Sequence, residues 1–175
     1  MSKKQQIRDL MLRSGSALGI LLLSGSITLV EAQEPKPQAP EMGLWYDDSG
    51  RGAVEISPCG NQLCGHIVWL HKTTDSQGRP LHDKYNPEPQ MRNRPICGIQ
   101  VLGNLNPQGD GSWGAGWVYD PKVGKSYDVE IKLANANTLT VFGYAGVKLF
   151  GKKLVWKRAP ADLPKCDSPL PASVR

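Results

Sequence analysis

Residues 126–133 read SYDVEIKL, and no other stretch of the chain limits its fold so tightly. Tyr127, Val129, Ile131 and Leu133 alternate with Ser126, Asp128, Glu130 and Lys132. Successive side chains of a strand point to opposite faces, so this pattern demands a sheet with one dry face and one wet face. The same reading extends along the chain. Segments 43–47, 51–57, 63–70, 97–103, 112–119, 138–145 and 149–158 complete a set of eight short strands. Val54 and Ile56 share a face in the second. Leu63, Ile67 and Trp69 oppose Cys64, His66 and Val68 in the third, and Trp113, Ala115, Trp117 and Tyr119 share a face in the fifth. No helical period of useful length interrupts the set, and no internal repeat is present.

The links between strands carry turn chemistry. Ser49-Gly50, Asn61-Gln62, the run from Asn106 to Gly111 and Asn135-Ala136-Asn137 all separate alternating segments. Asp120-Pro121-Lys122-Val123-Gly124 supplies a proline for a fixed φ and a glycine for a positive one. Eight sequential strands joined this way predict an all-β, mostly up-and-down antiparallel meander, and closing it into a barrel removes the exposed edges. Eight strands enclose room for side chains or one small ligand. One connection is different. Residues 71–95 form a loop of about 25 residues, beyond the roughly 12–15 at which structureless loops become unusual.

The two ends set the compartment. Lys3, Lys4, Arg8 and Arg13 precede an apolar run from about Gly15 to Val30, and Val30-Glu31-Ala32 offers a small-residue cleavage site. That is the layout of a secretory signal peptide over residues 1–32, with a retained N-terminal anchor as the alternative. No cysteine follows the run to take a lipid. Residues 33–41 read as a Pro-rich linker, 42–158 as one domain and 159–175 as a Pro-rich tail. No later segment is apolar enough to cross a bilayer as a helix. Without the leader the net charge falls from +5 to about +3, with both signs interspersed, which argues against a nucleic-acid surface.

In an exported chain, four cysteines read as disulfides. If Asn61-Gln62 is the turn, Cys59 and Cys64 face each other across adjacent strands at near-disulfide separation. A second bridge, Cys97–Cys166, would tie the tail to the barrel. Four cysteines permit three pairings, and Cys64–Cys97 is the main rival. The four residues between Cys59 and Cys64 do not fit a redox C-x-x-C motif. Cys64, His66, His71 and His82 lack the usual zinc spacings, so no metal site is expected, and no motif calls for a cofactor.

The 71–95 loop is the best candidate for a lid. Asp83, Asn86, Arg92 and Arg94 could meet a polar or anionic head group, the arginines through their forked donors. The plainer reading is that Asp83 and Asn86 cap turns. Asp120 before Pro121 is an ordinary turn former. Trp69, Trp117, Tyr119, Tyr127 and Tyr144 could line a cavity with Trp113, or simply fill a small barrel. No catalytic set stands out: a G-x-S-x-G elbow and a phosphate-binding glycine loop are both absent.

Two resemblances then bear on the fold. Gly43-Leu44-Trp45 opens the first strand and Arg158 ends the last, which resembles the lipocalin pattern of a tryptophan covered by a late arginine. The spaced elements Asp83/Asn86/Pro87, Arg94/Pro95/Cys97/Gly98 and Tyr119/Asp120/Pro121/Gly124/Lys125/Tyr127 resemble those of the bacterial family DUF2147, over residues 43–158. That resemblance implies exported proteins, a lipocalin-like (calycin-like) β-barrel and no established reaction. A barrel does not fix a function. The reading that follows is a periplasmic, non-enzymatic protein binding a small apolar or amphipathic ligand or an envelope component. The alternatives are a structural or interaction module with a self-filled barrel, and an enzyme using Asp83, His82 or Asp120 at the rim. Oligomeric state stays open.

Overall fold

A computed structural model describes residues 38–166. Its strands are β1 (Gly43–Tyr46), β2 (Gly52–Cys59), β3 (Gln62–Leu70), β4 (Gln100–Pro107), β5 (Trp113–Asp120), β6 (Lys125–Asn135), β7 (Thr138–Tyr144) and β8 (Lys152–Arg158). Each pairs antiparallel with the next, and β8 returns to β1 through Trp45↔Arg158 and Tyr46↔Lys157, closing an eight-stranded barrel. Among the described residues the only helical pieces are single 3-10 turns, Pro89–Met91 and Lys148–Phe150, and no helix is long and apolar enough to cross a membrane. The second of these turns delays β8 to Lys152, where the alternation alone would start it at Leu149. The signal peptide inferred for residues 1–32 lies outside the described residues.

The base of the barrel is sealed as the G-x-W pattern implies. Trp45 has no exposed surface, and the Arg158 guanidinium lies 4.0 Å from its ring centroid. Stacking of this kind contributes about 0.5–2 kcal/mol. Arg158 also donates to the carbonyls of Ala136 (2.6 Å), Met42 (3.1 Å) and Pro40 (2.8 Å), while the Trp45 indole donates to the Glu41 carbonyl at 2.8 Å. The end of the Pro-rich linker is therefore part of the seal. Glu41 is buried there, and its carboxylate accepts from the Trp113 indole at 3.2 Å.

Residues directly opposed on neighbouring strands share a face. The register therefore places Val129, Ile131, Val141, Leu139 and Trp156 inside, together with Val54, Leu63 and Leu105. Leu102, Leu105, Val129, Ile131 and Leu139 have no exposed surface at all. A void big enough for water would leave area on its walls, so at this level the barrel is filled by its own side chains. Trp156 is the exception to good polar accounting, because its buried indole N–H has no hydrogen-bond partner among the described residues.

Bulges correct two of the faces read from the sequence. Between Trp113↔Ile131 and Gly116↔Val129, β5 carries one extra residue, with Ala115 at φ 54°. A one-residue offset moves every later side chain to the other face. Trp113 stays inside opposite Ile131, but Trp117 opposes exposed Asp128 and Tyr119 opposes exposed Ser126, so both point outward. Trp117 lies against Gly103, where a Cβ would collide with the indole. On β3 a similar irregularity pairs Ala53 with Trp69 and Val54 with Ile67, turning Trp69 away from the face that Ile67 occupies. A further positive φ, 56° at Asn104, lets β4 run on to Pro107 past its expected end at Gly103.

The cysteines pair as Cys59–Cys64 and Cys97–Cys166, with Cα separations of 5.8 and 6.4 Å. The first bridge is diagonal rather than directly opposed. The β2–β3 turn is Gly60-Asn61, with Gly60 at φ 68°, so Cys59 opposes Gln62 and Cys64 opposes Ser57. The second bridge straps the chain after β8 to the outer wall. There the Cys166 N–H donates to the Val68 carbonyl at 2.7 Å, and Lys165 pairs with Glu55 at 2.7 Å.

Candidate functional site

An up-and-down barrel gathers alternate connections at one end. The β1–β2, β3–β4, β5–β6 and β7–β8 links all lie opposite the Trp45 seal, and the long β3–β4 loop is the largest of them. It is fastened by a buried polar cluster. Asp83 has no exposed surface. Its Oδ2 accepts from Arg94 Nε (3.0 Å) and Nη2 (2.8 Å) and from Asn86 Nδ2 (2.7 Å), and its Oδ1 accepts the Tyr119 hydroxyl at 2.6 Å. Arg92 Nε donates to the Asn86 carbonyl at 2.8 Å, and the Asp83 N–H donates to the Arg94 carbonyl at 3.0 Å. Burial, followed by the neighbouring carboxylate, pushes the Tyr119 phenol up to about 12. Gly124, at φ 67°, lets the loop come down on the β5–β6 turn, since a Cβ there would overlap the Tyr85 carbonyl.

Asp83, Asn86, Arg94 and Tyr119 thus come together, with Arg92 at their edge. They do so as a clamp whose carboxylate is already taken up by protein donors. The remaining candidates do not join them. Tyr127 is half-buried opposite Val118. Tyr144 lies on the outer face opposite Asp128, 5.7 Å from the Phe142 ring. Trp117 covers Gly103. His82 is exposed in the loop, and Asp120 Oδ1 accepts the Lys122 N–H at 2.9 Å, which holds its own turn. Cys64 is committed to a disulfide, and among the described residues no three His, Cys, Asp or Glu gather as metal ligands do.

Trp69 occupies a different place. Its ring meets Tyr46 edge-on at 5.5 Å and lies 6.2 Å from the His71 ring. Tyr46 and Trp69 open into a groove of about 570 Å³ on the outer wall, bounded by the β1–β2 turn (Asp47 to Gly50), Val155 and Lys157. Asp47 is occupied in that turn, accepting from the Ser49 and Arg51 N–H groups at 3.1 Å each. Asp48 is exposed. A second outer groove, of about 340 Å³, runs over β6–β8 between Glu130, Lys132, Phe142 and Lys153. Sequence reasoning missed Tyr46 and Lys157. The signal was present, because Tyr46 follows Trp45 directly and must face the opposite way, but it names no partner for the ring.

A family model described as an uncharacterized protein conserved in bacteria (DUF2147) matches residues 43–158. Among solved structures, protein HP1028 from Helicobacter pylori, described as belonging to the lipocalin family, is 25% identical with a TM-score of 0.56. The match covers 71% of this chain and 85% of that one. No curated protein matches the sequence.

Proposed function

This chain belongs to the bacterial family DUF2147, and from that premise we propose that it is an exported, periplasmic binding protein without catalytic activity. It takes a small amphipathic molecule or envelope component in the Tyr46–Trp69 groove, on the outside of the barrel and not within it. One observation carries this reading: a groove of ligand size has an aromatic floor, while the inward Leu102, Leu105, Val129, Ile131 and Leu139 leave no exposed surface. Ligand sites run to about 300–1,000 Å³ and combine apolar walls with few polar groups. Trp69 and Tyr46 would supply flat apolar contact, and Lys157 and Asp48 would meet polar substituents. Both disulfides fit an oxidising compartment, which supports export. The saturation of Asp83 and the turn duty of Asp120 support a role without acid–base chemistry.

The filled interior also supports a second reading, an interaction module whose barrel serves only as its own core. Native mass spectrometry of protein purified from its own compartment separates the two. A co-purified small molecule that disappears in Trp69→Ala supports the groove. A bare mass, with no rise in melting temperature on saturation with envelope extracts, would leave the interaction module standing.

A further inference from the structure

The β7–β8 connection exposes more apolar surface than its length explains. Val147 is 56% exposed, Leu149 86% and Phe150 80%. These side chains do not belong to a loose segment. The Gly151 N–H donates to the Lys148 carbonyl at 3.0 Å, and the Val147 N–H to the Ala145 carbonyl at 2.8 Å. The Phe142 ring sits where a Cβ on Gly151 would be, so the base of the turn is packed. Lys148 pairs with Glu130 and lies 5.7 Å above the Tyr144 ring, and Asp128 accepts the Gly146 N–H at 3.3 Å. The turn is thus built to hold Leu149 and Phe150 in water.

Charge identifies what would cover them. Of the lysines on this turn, Lys148 is already paired with Glu130. Lys152 and Lys153 are exposed directly behind the apolar tip. At the same end of the barrel, the β5–β6 turn adds exposed Val123 flanked by Lys122 and Lys125. A narrow convex apolar tip offers little shape for a protein to grip, but it suits a fluid acyl layer, with lysines at the level of the headgroups. We propose that this end of the barrel docks on an anionic phospholipid bilayer, with Leu149 and Phe150 inserted at the interface and Lys152 and Lys153 on the phosphates. The residues that insert are not those that line the Tyr46–Trp69 groove, so either reading can fail alone.

The test is co-sedimentation with vesicles, run on the full chain and on residues 37–175, a compact unit that carries the whole barrel. In each, wild type is compared with Leu149→Ser/Phe150→Ser and with Lys152→Gln/Lys153→Gln. On vesicles of phosphatidylcholine with phosphatidylglycerol, each double variant of the 37–175 unit should partition at least about tenfold more weakly than wild type. On phosphatidylcholine alone, wild-type binding should fall by a similar factor. A Phe150→Trp variant, read as the difference from wild type, should shift its emission to the blue on the anionic vesicles. Circular dichroism should be the same for all, because the tips touch nothing in the core. Equal partition of wild type and tip variant, or an unshifted difference emission from Phe150→Trp, overturns the proposal. So does self-association abolished by the tip variant without vesicle binding, which would identify the tip as a protein contact.

Discussion

Replacing Asp83 by Ala is the sharpest test of how the long loop is held. The wild-type carboxylate is fully buried and accepts four hydrogen bonds, from Arg94 twice, Asn86 and Tyr119. Its removal strands a guanidinium whose side chain is 31% exposed, together with a buried phenol and a buried amide. Breaking a buried ion pair from one side costs about 3–5 kcal/mol, and partial access of Arg94 to water puts this case near the lower figure. For a domain of this size 1 kcal/mol moves the melting temperature by roughly 3–5 °C, so a fall of about 10–15 °C is expected. Thermal unfolding followed by circular dichroism, with both disulfides oxidised, measures it. Adding Arg94→Met should recover part of the loss, because the uncompensated charge is then gone. Arg79→Gln is the control: its side chain is 69% exposed, and a pair of this kind, here with Asp75, contributes no more than about 1 kcal/mol. If Asp83→Ala melts within about 3 °C of wild type, the clamp does not hold the loop and the reasoning fails.

Tyr119 keeps its proton to about 12 when folded, above the ordinary value of 10.0, so its contribution to stability is complete below the unfolded value and is lost as pH rises through that window. Urea midpoints measured across it should fall more steeply for wild type than for Tyr119→Phe, and parallel curves would contradict the burial of the phenol. Trp45→Phe removes a hydrogen bond and weakens the stacking on Arg158, whereas Trp156→Phe removes an N–H that has no partner among the described residues, so the first should be the more destabilising by about 1 kcal/mol in urea unfolding. Cys97→Ser/Cys166→Ser opens a loop of sequence separation 69 and should cost about 4 kcal/mol, against about 2 for the five-residue separation of Cys59→Ser/Cys64→Ser. Equal losses in calorimetry would put the strap's effect in native contacts, not in chain entropy.

Much of the barrel was legible because period-two alternation is a physical requirement of a half-buried strand. Segments such as SYDVEIKL left no other solution, and the Trp45–Arg158 seal followed from one indole and one late guanidinium. What escaped the sequence was parity. A bulge costs a single residue, and its trace around Ala115 is only the run Gly114-Ala115-Gly116, yet it moved Trp117 and Tyr119 from the expected cavity to the outer wall. Trp69 was displaced in the same way by the irregularity opposite Ala53 and Val54. The turn at Gly60-Asn61, one residue earlier than Asn61-Gln62, left the first disulfide intact because a diagonal pair is also within bonding reach. The long loop was recognised by length. Its inward anchor was not, since nothing local in D-K-Y-N-P says that Asp83 will meet a tyrosine 36 residues later.

The three spaced motifs by which the chain resembles its family meet at one point. Asp83 and Asn86 come from the first, Arg94 from the second and Tyr119 from the third, and Gly124 of the third admits the loop that carries the first. The second motif also supplies Cys97, which fixes the terminal strap. These residues share one task, fastening a long connection over the outer wall of β5. A carboxylate surrounded by four donors from its own chain has little capacity left for a guest, and its removal should be read in melting temperature before it is read in binding. The motifs thus specify architecture, and they name no ligand. The two surfaces for which binding and docking are proposed, the aromatic groove beside β1 and the apolar, lysine-backed tip between β7 and β8, both lie outside the three motifs. On that proposal, chains that share this clamp would be free to differ in what they hold and where they dock.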